Sequence, residues 1–133
     1  MPLIKVLEIG GYAAGYCGRL FARQGAEGTR LELKATPPAW ASVEAMRAFL
    51  HGGKISVTVE SAAEALEYVC DADVVVCEAD SADALDALGF DEWQADIKVA
   101  MTPFGRTGRK RNGQATPSTL LAMGGYTSLM GDP

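Results

Sequence analysis

The apolar positions of this chain alternate between a spacing of two and a spacing of three to four, in a regular order. IKVLEI, residues 4–9, has four apolar residues of six and predicts a strand covered on both faces. GGYAAG follows, and then Cys17, Leu20 and Phe21 fall at i, i+3 and i+4, the stripe of a helix. TRLEL (29–33) predicts a second strand. PAWASVEAMRAFL predicts a helix with Val43, Met46 and Leu50 on one face, stopped by Gly52 and Gly53. KISVTV (54–59) alternates as a strand with one exposed face does. Ser61 and Glu64 form an S-x-x-E capping box ahead of a helix expected to bury Leu66, Val69 and Cys70. DVVVC (73–77) is the most strand-like run, a brief helix carries Ala84, Leu85 and Leu88, and IKVAM (97–101) is the fifth strand. Thr116 and Pro117 have the character of an N-cap and first helical residue ahead of STLLAMGGYTSLM.

Strands that alternate with helices are joined by helical crossovers, which make neighbouring strands parallel. The expected fold is α/β, a Rossmann-like, mostly parallel sheet of about five strands with helices on both faces. Residues 1–133 read as a single domain, with no repeat, low-complexity tract or linker. Ligands of such sheets bind outside the carboxyl ends of the strands. Four loops stand there: 10–15, 33–39, 77–82 and 102–113.

Charge and composition narrow the chemistry. With 12 Lys+Arg against 17 Asp+Glu, the net charge of −5 argues against general nucleic-acid affinity. No apolar run approaches the roughly 20 residues that cross a bilayer, so no membrane partner is expected. Cys17, Cys70 and Cys77 show no CxxC spacing and lie in apolar segments, which predicts buried, reduced thiols and a cytoplasmic location. His51 is the only histidine, which excludes a multi-histidine metal site. Beside two glycines, it reads as a helix C-terminal cap rather than a catalytic base. Cys77 ends a strand with no base nearby and reads as a core thiol rather than a nucleophile, and Trp40 and Trp93 read as packing anchors. Acids crowd residues 71–96, but their spacing selects no catalytic pair.

Two loops carry the strongest signals. GGYAAGYCG (10–18) follows a strand and opens a helix, and Glu32 stands where an acid meets a ribose. Its glycines are spaced G-G-x-x-x-G-x-x-G, however, which fits no dinucleotide fingerprint, so an NAD(P)-binding domain is kept as an alternative. MTPFGRTGRKRNG (101–113) gathers Arg106, Arg109, Lys110 and Arg111, four of the chain's twelve cations. Either it contacts a phosphorylated ligand or it is a solvated loop.

Taken in order, the segments resemble the family III CoA-transferases, the CaiB/BaiF group that includes formyl-CoA transferase and α-methylacyl-CoA racemase. The resemblance is carried by VLEIGGYAAGYCGRLFARQGAEGTRLE (6–32), GGKISVTVE (52–60), ADVVVCEADSADALDALGF (72–90), MTPFGRTG (101–108) and LLAMGGYTSLMGDP (120–133). It implies a Rossmann-like N-terminal domain that binds CoA or an acyl-CoA. The family's catalytic aspartate lies shortly beyond the Gly-Glu-Pro turn. Here the matching turn is Gly131-Asp132-Pro133 and the sequence ends there, so no catalytic residue is assigned and no activity alone is expected. The family's Asn-Phe pair falls on Glu78 and Ala79, its first-loop glutamine on Ala13, and its arginine after the second strand on Leu33, with Lys34 one residue along. The implied ligand contacts are Tyr12, Ala13, Lys34, Lys54, Glu78, Ala79, Phe104 and Arg106, with Arg109 and Lys110 from the basic loop. No metal is implied. The implied partners are a CoA thioester and either a second copy or a C-terminal partner chain, because the family forms interlocked dimers. A non-catalytic protein-interaction module is the other alternative.

Overall fold

A computed structural model describes residues 3–33 and 43–131. The elements run β1 (Lys5–Ile9), α1 (Tyr12–Arg23), β2 (Glu27–Leu33), α2 (Glu44–His51), β3 (Ile55–Val59), α3 (Ala62–Cys70), β4 (Val74–Glu78), α4 (Ala82–Ala87), β5 (Ile97–Met101) and α5 (Pro117–Met123). Short 3-10 turns lie at Phe90–Glu92 and Tyr126–Leu129. The five strands form one sheet in the order β3-β2-β1-β4-β5, and every pairing is parallel. This is the expected α/β, Rossmann-like architecture. The order runs outward in both directions from β1 and β4, which places a topological switch point between them.

Two apolar layers hold the sheet. On one face, Leu7, Ile9, Leu31, Val75 and Cys77 meet Ala65 and Val69 of α3, Leu85 of α4, and the Phe90–Trp93 pair. On the other, Val6, Val74 and Val76 meet Ala14, Cys17 and Phe21 of α1. Each fully buried Val, Leu or Phe stabilises the fold by roughly 1.5–3 kcal/mol. Trp93 anchors as expected, its ring 5.3 Å from that of Phe90. Trp40 lies outside the described residues. No helix among the described residues is long and apolar enough to cross a membrane.

The helix faces depart from the sequence expectation. On α3 the buried stripe is Ala65 and Val69, while Leu66 and Cys70 are exposed. Ala65 and Val69, four apart, face the sheet, so Leu66 and Cys70, one position further round the helix, turn outward. On α1 the buried positions are Ala14, Gly15 and Gly18, and Leu20 is exposed. Val43, at the N-cap of α2, is also exposed, whereas Leu50 is buried. Of the three thiols only Cys77 is fully buried, since Cys17 is half-buried. The helix starts follow the sequence more closely. Ser61 Oγ accepts from the Glu64 N–H, and the Glu64 carboxylate reaches the Glu60 N–H at 2.8 Å, one residue earlier than in a regular capping box. Thr116 caps α5, with Pro117 as its first residue.

Candidate functional site

At the carboxyl edge of the sheet, over the switch point, lies an open cleft of about 500 Å³. Its floor is Ile9, Leu31, Leu33, Ala79, Ala84 and Leu88, and its polar rim includes Glu32, Thr58, Glu78 and Asp80. Gly10 and Gly11 form the wall that leads into α1. Two further depressions, of about 40 and 350 Å³, lie around Asp71 and Ala72 at the amino edge. Parallel α/β sheets place their ligands at the carboxyl edge, so the first cleft is the candidate site.

The start of α1 is already capped. Gly11 offers no side chain, and the Glu78 carboxylate at the end of β4 accepts the Ala14 N–H at 2.8 Å. A carboxylate suits this position, because the first N–H groups of a helix carry its partial positive charge. The adjoining glycines accommodate Glu78. Gly10 has φ +120°, and a Cβ there would run into the Glu78 backbone. A Cβ on Gly11 would stand 3.0–3.2 Å from the Glu78 carboxylate.

Beneath α1 lies a buried ionic cluster. Glu8, in the middle of the central strand, is 2% exposed. Lys54 donates to both of its oxygens, at 2.6 and 2.7 Å, and to the Gly15 carbonyl at 2.9 Å. His51 Nδ1 stands 3.2 Å from Glu8 Oε1. Arg30 lies beside Glu8 in register on β2 and pairs with Glu32 at the cleft. Burial pushes the Glu8 carboxyl up to about 7, against the hydrogen bond from Lys54. Burial also holds His51 down to about 4, helped by the charges of Arg30, Lys54 and Arg47, and it lowers Lys54. The cluster explains three further glycines. A Cβ on Gly18 would overlap the Glu8 carboxylate, one on Gly15 would meet the His51 ring at 3.1 Å, and one on Gly28 the Lys54 stem at 2.9 Å. None of the four residues was singled out as a buried group from the sequence. The signal was a Glu inside the apolar run IKVLEI and an Arg inside TRLEL.

The basic loop after β5 folds back onto acids. Arg106 forks across Asp91, at 2.6 and 2.7 Å, and reaches Asp86 at 3.0 Å. Arg111 pairs with Asp83, whose N–H and carboxylate also bond Asn112. These contacts hold Asp91 and Asp83 below the usual carboxylate range and raise Arg106. The Ala82 N–H donates to the Arg111 carbonyl, which fixes the loop against the helix that lines the cleft. Lys110 lies 5.8 Å from the Phe104 ring centroid. Arg109 is exposed and makes no ion pair among the described residues.

No protein-family model matches the chain, and no curated protein does. Solved structures do. A CaiB/BaiF family protein from Brucella suis superposes with a TM-score of 0.80 at 25% identity, over 98% of this chain and 40% of that one. The chain carries a CaiB/BaiF-type fold. A hypothetical protein from Mycobacterium tuberculosis matches with a TM-score of 0.77 at 25% identity, over 99% of this chain and 42% of that one. The chain therefore spans about two-fifths of the length of these two structures.

On this CaiB/BaiF-type scaffold the residues implied by the resemblance fall into separate groups. Glu78 and Ala79 line the cleft, and Tyr12 and Ala13 form the exposed first turn of α1 beside it. Phe104, Arg106, Arg109 and Lys110 share the basic loop, with Arg106 committed to its two acids. The Lys54 side chain is wholly buried and is not among the residues lining the cleft. Lys34 lies outside the described residues. Glu32, weighed as a ribose acid, lines the cleft and is held by Arg30. His51, read as a helix cap, is instead buried against Glu8. Cys77 is buried in β4, one residue before Glu78, and burial pushes its thiol up to about 12.

Proposed function

We propose that the chain is a CoA-transferase-like binding domain, with weak affinity for CoA or acyl-CoA and no transfer activity alone. The cleft at the switch point carries this reading, because its apolar floor suits a purine and its acids suit the hydroxyls of a ribose. The phosphates would then run out toward Arg109 and Lys110, the loop cations that no carboxylate neutralises among the described residues. Phe104 offers an apolar surface beside them. The state of the groups at and near the cleft supports binding without transfer. Glu32 is tied to Arg30, Glu78 caps α1, and the Cys77 thiol is buried and protonated.

Calorimetric titration with CoA, 3′-dephospho-CoA and NAD tests the reading. CoA should bind in the high-micromolar to millimolar range, and more weakly without its 3′-phosphate. Replacing Arg109→Ala and Lys110→Ala together should weaken CoA binding roughly tenfold, as expected for losing charged hydrogen bonds. No heat from CoA at millimolar concentration would end the proposal. Tighter binding of NAD than of CoA would favour the nicotinamide alternative instead.

A second reading has its own support. Leu120, Leu121, Met123, Tyr126, Leu129 and Met130 are all exposed along α5 and the turn after it, with Leu129 82% exposed. An apolar surface of this kind marks an interaction face. A second copy of the chain is the proposed occupant. Sedimentation across a concentration series should show self-association that Leu129→Asp abolishes, and a strictly monomeric chain would remove this reading.

A further inference from the structure

The turn from β1 into α1 has the backbone form of an anion site: two glycines leading into a helix N-terminus at the carboxyl edge of a parallel sheet. In this chain that position is filled from within. The Glu78 carboxylate takes the Ala14 N–H at 2.8 Å. Its backbone occupies the space a side chain at Gly10 would need, and its carboxylate the space beside Gly11. The room the two glycines leave is therefore used by a residue of the chain. Glu78 also lines the cleft, so any ligand there meets its charge directly.

We propose that Glu78 sets the specificity of the cleft: its carboxylate stands where a phosphate would bind and makes the site select an uncharged, hydroxyl-bearing group. The inference rests on reading the cleft as a ligand site, and it sets the direction of the ligand. A phosphate brought to α1 would meet a carboxylate already holding the helix N–H, and like charges repel. Vicinal hydroxyls, by contrast, can donate to the carboxylate oxygen that Ala14 leaves free. Glu32, held by Arg30 on the opposite wall, offers a second acceptor. A nucleoside therefore enters sugar and base first, and any phosphate it carries stays outside the α1 turn.

The test uses the whole chain, labelled with nitrogen-15, titrated separately with adenosine, adenosine monophosphate and inorganic phosphate. In the wild type, adenosine should shift the amide signals of Gly11, Leu33 and Ala79. Phosphate should leave the Ala14 amide in place, and the monophosphate should bind no more tightly than adenosine. In Glu78→Gln, phosphate should now shift the Ala14 amide, and the monophosphate should overtake adenosine. A phosphate-induced shift of Ala14 in the wild type would overturn the proposal, and so would the absence of any adenosine response in the cleft. Because the wild-type arm decides on its own, a poorly folding Glu78→Gln would not protect the proposal. Failure of CoA to bind while adenosine behaves as described would remove the CoA reading alone. CoA binding accompanied by a phosphate response at Ala14 would remove this inference alone.

Discussion

A carboxylate in the middle of a central strand destabilises a fold unless its charge is answered. Glu8 is answered by Lys54, with His51 and Arg30 alongside. Removing one partner leaves the other buried and unpaired, so Glu8→Ala should lower stability by about 3–5 kcal/mol, while Glu8→Leu with Lys54→Met should recover most of it. Chemical denaturation of the three variants measures both effects. Gly18→Ala drives a methyl group into the same carboxylate and should cost about 2 kcal/mol. The pH profile reports the cluster as well. Glu8, raised from 4.5 to about 7, contributes stability that is full below pH 4.5 and lost as the pH rises through about 7. His51, lowered from 6.5 to about 4, contributes stability that is full above pH 6.5 and lost as the pH falls through about 4. The slopes oppose each other, so the two contributions largely offset between pH 4.5 and 6.5. His51→Gln leaves the Glu8 slope alone, and the denaturation midpoint should then fall as the pH rises across that window. A midpoint that rises would contradict the assignment. The thiols separate by burial: an alkylating reagent should modify exposed Cys70 in the native protein and reach Cys77 only on unfolding, as peptide mass analysis would show.

The strands were legible in the sequence because each is short, apolar and bounded by turn residues, and all five fall within two residues of their expected positions. The N-caps Ser61 and Thr116 were legible for the same local reason. Ser61→Ala removes the acceptor of the Glu64 N–H and should cost about 1 kcal/mol in thermal or chemical unfolding. Helix faces were harder to read. Of the stripe Cys17, Leu20 and Phe21, Cys17 and Phe21 pack against the sheet but Leu20 is exposed, and α1 also turns Gly15 and Gly18 inward over the ion pair beneath it. That pair joins Glu8 to Lys54, 46 residues apart, and no local window connects them. The glycine stretch has an explanation of the same kind. Its spacing fits no dinucleotide fingerprint because its glycines accommodate the chain's own Glu78, His51 and Glu8.

At the scale of the whole molecule, the acid-rich middle of the chain and the basic loop after β5 form one feature. Asp83, Asp86 and Asp91 take up Arg106 and Arg111, which leaves Arg109 and Lys110 exposed on the loop held against the start of α4. The carboxyl edge thus combines an apolar floor and an acidic rim, while the apolar residues of α5 and its following turn are exposed elsewhere in the chain. The central claim is that the carboxyl edge is the ligand face. Hydrogen–deuterium exchange of the chain with and without saturating CoA tests it most directly. The account predicts slower exchange confined to residues 10–14, 32–33, 78–84 and 105–111. Protection over residues 117–130 instead, or no change at millimolar CoA, would contradict it.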